Sequence, residues 1–77
     1  MIQIIDNGDT SRVFGNEPNS EIPELIGLTV TRHHDHFELD REYLPEVISR
    51  MEKPYFFTDT KGKVITHTRR GYYEIFG

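Results

Sequence analysis

Seventy-seven residues with 35% apolar content and no cysteine predict one domain over residues 1–77, without disulfides, thiolate catalysis or cysteine-based zinc. The net charge of −4 opposes long-range attraction to nucleic acid, although a local basic patch can still act at contact distance. No run of about 18 apolar residues is present to cross a membrane, and the N-terminus carries no signal-peptide pattern, so a cytoplasmic, reducing setting is the expectation.

The first predicted element is a hairpin. Ile2, Ile4 and Ile5 precede Asp6-Asn7-Gly8-Asp9, and Asn-Gly is the strongest short hairpin signal because both residues accept positive φ. Thr10 to Phe14 forms the return strand. Gly15 to Ser20 reads as a loop, and Ser20 to Gly27 as one or two helical turns capped by Ser20. Leu28-Thr-Val-Thr-Arg alternates and is β-branched, which predicts a middle strand. Phe37 and Leu39 fall on the opposite phase, so a bulge or strand end is expected near residues 32–36.

A helix is expected from Arg41 to Glu52. Leu44, Val47, Ile48 and Met51 follow the i, i+3, i+4, i+7 spacing of one apolar face, and Asp40 is a suitable cap. Pro45 clashes with the carbonyl of Arg41 if the helix is regular there, so the helix either starts near Pro45 after a looser turn or has a distorted first turn. The last quarter reads as a three-stranded meander: Tyr55 to Thr58, Lys63 to His67 and Tyr72 to Phe76. Asp59-Thr60-Lys61-Gly62 and Thr68-Arg69-Arg70-Gly71 are its turns, each with Gly at the position that favours positive φ. The predicted fold is therefore α+β, an antiparallel sheet with one amphipathic helix on one face. Leu44, Val47, Ile48 and Met51 are expected to pack on Phe57, Val64 or Ile65, and Ile75.

Three constellations could carry function. His33-His34-Asp35-His36 is the densest set of metal-ligand types, and His34 and His36 share a face if the backbone is extended. Four ligands, or three with an open position, are needed; Glu38, Asp40 and His67 could complete the set, but nothing in the spacing requires it. No metal and no cofactor is expected, and solvated or pH-sensitive histidines are the readings that remain. Glu38, Asp40, Glu42 and Glu46 could be paired carboxylates, but acids early in a helix also suit its dipole.

The third constellation is basic and aromatic. Residues 1–52 hold eleven Asp or Glu against four Arg, a balance of −7, whereas residues 53–77 hold five Lys or Arg against Asp59 and Glu74, a balance of +3. Arg69, Arg70, Tyr72, Tyr73 and Lys61 are the candidate partner-binding residues, since arginine forks and tyrosine faces dominate interfaces. No nucleophile with a base at a telling spacing occurs, and no Gly-rich phosphate loop. The expectation is a small non-enzymatic interaction domain, a stoichiometric regulator or inhibitor of a larger protein. A nucleic-acid-binding module using the same C-terminal segment is the alternative. An unpaired edge strand also admits a homodimer by strand addition.

Overall fold

The computed structural model describes residues 1–17 and 21–77. Its strands are β1 Gln3–Asp6, β2 Thr10–Phe14, β3 Thr31–Arg32, β4 Phe37–Asp40, β5 Phe56–Thr58 and β6 Val64–Thr66. They form one sheet in the order β3-β4-β2-β1-β5-β6. Two helices, α1 Leu44–Ser49 and α2 Arg69–Phe76, complete an α+β fold.

β1 and β2 make the expected hairpin, in register from Gln3↔Phe14 to Asp6↔Ser11. Gly8 sits at φ +93°, and its N–H donates to Asp6 Oδ1 at 3.0 Å. Alternation along the strands places Ile4 and Val13 on one face, where both are fully buried, and Ile5, Arg12 and Phe14 on the other.

The middle of the chain is less regular than its pattern suggests. Pro23–Leu25 is a single 3₁₀ turn. Its expected cap, Ser20, lies outside the described residues, as do Pro18 and Asn19 of the preceding loop. The strand expected over 28–32 shrinks to Thr31–Arg32, because Leu28 and Val30 instead tuck half-buried against the core. β3 and β4 pair with Arg32 opposite Phe37, so the break expected near residues 32–36 is a tight hairpin turn. His33 N–H closes it on His36 O at 2.8 Å.

Pro45 divides the expected helix. Proline supplies no N–H to bond Arg41 O, and the N–H of Leu44 donates there in a 3₁₀ turn over Arg41–Tyr43 instead. The α-helix proper begins at Leu44. Asp40 makes no side-chain cap hydrogen bond, and Arg41 N–H donates to Asp9 O at 3.0 Å. Leu44, Val47, Ile48 and Met51 are all buried, in one cluster with Ile4, Val13, Leu39, Tyr55 and Phe57.

The sheet is mixed rather than purely antiparallel. β5 enters beside β1 in the same direction, with Ile4 opposite Phe57. β2 already occupies one side of β1, and the long path through β4 and α1 crosses the sheet, as a parallel neighbour requires. The first of the two late turns behaves as expected: Gly62 has φ +84°, and Asp59 Oδ1 accepts the N–H groups of Lys61 and Lys63, each at 2.9 Å.

The second turn and the third meander strand are not there. Thr68 is extended at φ −137°, ψ 155°, and its Oγ1 accepts Gly71 N–H at 2.9 Å, which makes it the N-cap of α2. In a strand, Glu74 would lie between Tyr72 and Phe76 on one face. The helix sends Glu74 outward, where it meets Arg70 at 3.1 Å. Tyr72 and Phe76 then pack together on Phe57, with ring centroids 5.4 and 5.5 Å from it. Among the described residues there are therefore two α-helices, and both cover the Ile4–Phe57 face of the sheet.

Candidate interaction surface

The helix over residues 69–76 separates the candidate side chains that the sequence groups together. Arg69, Tyr72, Tyr73 and Phe76 follow the i, i+3, i+4, i+7 spacing that turns one stripe of α2 toward the core. Tyr72 is the buried member, and burial pushes its hydroxyl pKa up. Tyr73 stays 40% exposed, and the two rings meet edge to face at 5.6 Å. Tyr73 is thus the tyrosine available at the surface.

The two arginines also diverge. Arg69 Nη1 donates to Ser49 O at 3.1 Å, satisfying a carbonyl at the end of α1. Arg70 lies on the outer side of α2, its side chain 90% exposed, in an i, i+4 pair with Glu74. Neither is at a turn with positive φ. Lys61 is exposed on the turn before β6, with Lys63 beside it. Among the described residues neither ammonium has an ion-pair partner, and the nearby carboxylate of Asp59 is engaged by turn N–H groups.

The residues that sequence reasoning assigned to the core and the structure leaves outside are apolar. Val64 is 47% exposed and Ile75 54% exposed, whereas Ile65 is half-buried against the core. Phe56 and Phe76, each 41% exposed, join them. Phe56 lies on the sheet face that neither helix covers, together with Ile5 and Phe14, and a register shift in the β5–β6 pairing sets Val64 opposite Thr58 on that same face. The helical spacing of residues 69–76 was the signal that could have exposed Ile75 in advance; for Phe56 and Val64 composition offers none.

The histidine cluster sits on the β3–β4 turn at the far edge of the sheet. His33 and His36, not His34 and His36, come together, because the turn folds them over each other with centroids 4.5 Å apart and planes 12° from parallel. His36 also rests on Phe14 at 5.1 Å. Its Nδ1 lies 2.7 Å from Asp35 Oδ1, and this hydrogen bond is the main cause that holds the Asp35 carboxyl below its usual range. Glu38 is 3.9 Å from His33 Nε2. Among the described residues no three His, Asp or Glu side chains converge as a metal ion would need. Glu42 and Glu46 are exposed on the first turns after Asp40, and Glu46 pairs with Arg50 at 3.1 Å.

An open cleft of about 1020 Å³ lies between Met1–Ile2, Gly15–Glu17, Glu21–Glu24 and Arg50–Pro54. Its described lining combines Ile22, Met51 and Pro54 with glutamates, Arg50 and Lys53, and holds no hydroxyl, thiol or imidazole group. Arg50 is tied down there, donating to Ile26 O at 2.6 Å and to Glu24 O at 3.2 Å. No described helix is long and apolar enough to cross a membrane. No protein-family model, curated protein or solved structure matches the chain.

Proposed function

We propose that this chain is a non-enzymatic interaction domain that binds a larger protein, acting as a stoichiometric regulator or inhibitor. The observation that carries this is where its exposed apolar side chains fall. Among the described residues the large exposed hydrophobics are Met1, Ile26, Phe56, Val64, Tyr73, Ile75 and Phe76. Five of these seven come from residues 56–76, the same stretch that holds Lys61, Lys63, Arg69 and Arg70. A domain this small needs its apolar residues for its own core, so leaving several outside on one segment favours a surface that something else covers. Exposed Lys61, Lys63 and Arg70 on the same segment supply polar residues of the kind that rim protein interfaces.

The nucleic-acid reading is the weaker one. Burial of Tyr72 leaves Tyr73 as the only tyrosine of α2 free to stack on a base, and Glu74 offsets Arg70.

Affinity capture from the native host with the wild-type chain and with a Val64→Glu, Ile75→Glu double variant tests the proposal. Both positions are exposed, so the variant should fold, which circular dichroism checks. A protein retained by the wild type after nuclease treatment, in equimolar amount, and lost from the variant is the expected result. Retention of nucleic acid alone, with affinity falling about a thousandfold between 50 and 200 mM salt, would replace the proposal with the alternative.

A further inference from the structure

β6 ends the sheet, and among the described residues no strand pairs with its outer side. An edge of this kind presents backbone N–H and C=O groups ready to receive another strand. The opposite edge, β3, has two residues, and Arg32 there lies over the Phe37 ring at 5.5 Å. β6 has three, with exposed Val64 and half-buried Ile65 among them.

α2 extends this edge. Gly71 lies so close to β6 that an added Cβ would run into Thr66 Oγ1. Ile75, one turn further on the same flank of the helix, therefore faces the β6 side, and it is 54% exposed. The edge thus combines unpaired backbone with Val64 below and Ile75 above. Lys61 and Lys63 stand at one end of it; toward the other, Arg69 is drawn away to Ser49 O and Arg70 is paired with Glu74. The acids within the same segment are Asp59, whose Oδ1 is held by the turn, and Glu74, paired with Arg70.

We infer that β6 is a docking edge for an extended, acidic segment of the partner protein, which adds to the sheet as a seventh strand. This rests on the interaction reading above and names the chemistry of the partner. Main-chain pairing gives such a strand its affinity, and alternate side chains give specificity. Apolar residues of the incoming strand would meet Val64 and Ile75, and its carboxylates Lys61 and Lys63.

Charge decides between that occupant and a second copy of this chain. Antiparallel self-pairing about Ile65 sets Lys63 of one copy opposite His67 of the other and Lys61 opposite Arg69, so it brings neither lysine a carboxylate. Like charges placed opposite each other across strands are destabilising. An acidic strand meets opposite charge at Lys61 and Lys63. The lysines that guard the edge against self-association are the same ones that select an acidic partner.

The probe is a soluble eight-residue peptide, Glu-Glu-Val-Ile-Val-Val-Glu-Glu, whose apolar centre presents side chains to both faces of the sheet, titrated into the intact, isotope-labelled chain and followed by amide spectra and hydrogen exchange. Binding should perturb and protect the amides of Val64–Thr66. Lys61→Glu with Lys63→Glu should weaken it on the order of tenfold, the sum of two exposed pair energies reversed in sign. N-methylation of the peptide backbone should abolish it, while the same peptide with Lys in place of every Glu should not bind. Equal binding of the basic or N-methylated peptide, perturbations confined to the Ile5–Phe14 face or to β3, or no binding at millimolar peptide would each overturn the inference. A captured host protein whose binding ignores Lys61→Glu with Lys63→Glu would remove strand addition and leave the interaction reading in place. Capture of nucleic acid alone, with the β6 amides unprotected, would remove both.

Discussion

Asp59–Gly62 and Thr68–Gly71 are near-copies as sequence, each a polar residue, two more positions and a glycine preceded by a basic side chain. One is a turn and the other begins a helix. At Asp59 the carboxylate accepts two N–H groups, from Lys61 and Lys63, and curls the chain back on itself. At Thr68 the hydroxyl accepts only Gly71 N–H, three residues on, which leaves the later residues free to continue as helix. The glycines are there for different reasons. Gly62 supplies φ +84° with open space around it, whereas Gly71 has helical backbone and is small because Thr66 is against it. Glycine at the fourth place of a turn-like tetrapeptide can therefore mean backbone hand or close approach. The cap residue and the side chains just C-terminal to the glycine decide which.

The sharpest way to break this comparison is at the far end of α2. Tyr72→Ala should destabilise the chain by about 3–5 kcal/mol, since it removes a buried ring from Phe57 and Phe76. Ile75→Ala should change stability by less than about 0.5 kcal/mol. Urea denaturation of the two variants measures both. A large effect at Ile75 with a small one at Tyr72 would return residues 72–76 to a strand with the opposite face inward.

The glycines themselves give the next largest effect. Alanine is a better helix former than glycine by about 1 kcal/mol, yet Gly71→Ala should destabilise by roughly 1–2 kcal/mol through collision with Thr66. In a Thr66→Ala background the Oγ1 collision is gone, while Thr68 Oγ1 and the Cβ of residue 66 stay tight against the added methyl, so the same substitution should cost only about 0–1 kcal/mol. Gly62→Ala should cost about 1–2 kcal/mol in either background, because positive φ and not crowding is the obstacle. A double-mutant cycle with no coupling between residues 66 and 71 would show that the two glycines act alike.

The elements legible in the sequence are those whose determinants are local. Asn7-Gly8 dictates the first hairpin, and the spacing of Leu44, Val47, Ile48 and Met51 dictates the buried face of α1. Pro45 even announces the loosened turn at Arg41–Tyr43. The parallel pairing of β5 with β1 was not legible, because it depends on which side of β1 a distant strand finds free. Residues 72–76 misled because Tyr-Tyr-Glu-Ile-Phe has high β propensity, and propensity yields to tertiary packing. Only with Phe57 in place does burying Tyr72 and Phe76 together outweigh that preference. The candidate surface shared the error: Tyr72 moved inward with the helix, Arg69 was drawn to Ser49 O, and Val64 and Ile75 came out.

A third test probes the start of α2 through pH rather than packing. Tyr55 is fully buried and its hydroxyl donates to the carbonyl of Thr68, the N-cap of α2, at 3.2 Å. Burial raises its pKa to about 12, above the usual value near 10. The folded state therefore holds this proton more tightly than the unfolded one. Its contribution is fully present below about pH 10 and is lost as pH rises through about 12. Tyr55→Phe should cost about 1 kcal/mol at neutral pH by removing the hydrogen bond and should flatten the alkaline fall in melting temperature. Tyr72, raised in the same direction, keeps the slope from vanishing. An unchanged alkaline slope in Tyr55→Phe would mean that the phenol titrates normally and that the start of α2 is open to water.

The smallest effects belong to the arginines, and they bear on the difference between a turn and a helix start most directly. At the tip of a hairpin turn both guanidinium groups would project into water, and neither would matter to the fold. In α2 they are unequal. Arg70 pairs with Glu74 where both side chains are largely in solvent, and such i, i+4 pairs contribute about 0.3–0.5 kcal/mol. Arg69 reaches across to Ser49 O and ties the start of α2 to the end of α1. A charged donor on a carbonyl that no later turn of α1 satisfies is worth more, on the order of 1 kcal/mol. Arg69→Ala should therefore lower the denaturation midpoint measurably, while Arg70→Ala should barely move it. Raising the salt to about 1 M should erase the Arg70 effect and leave most of the Arg69 effect, since exposed pairs are screened and a hydrogen bond to a neutral carbonyl is not. Equal, negligible effects at both positions would be the behaviour of a solvated turn, and would separate α2 from α1.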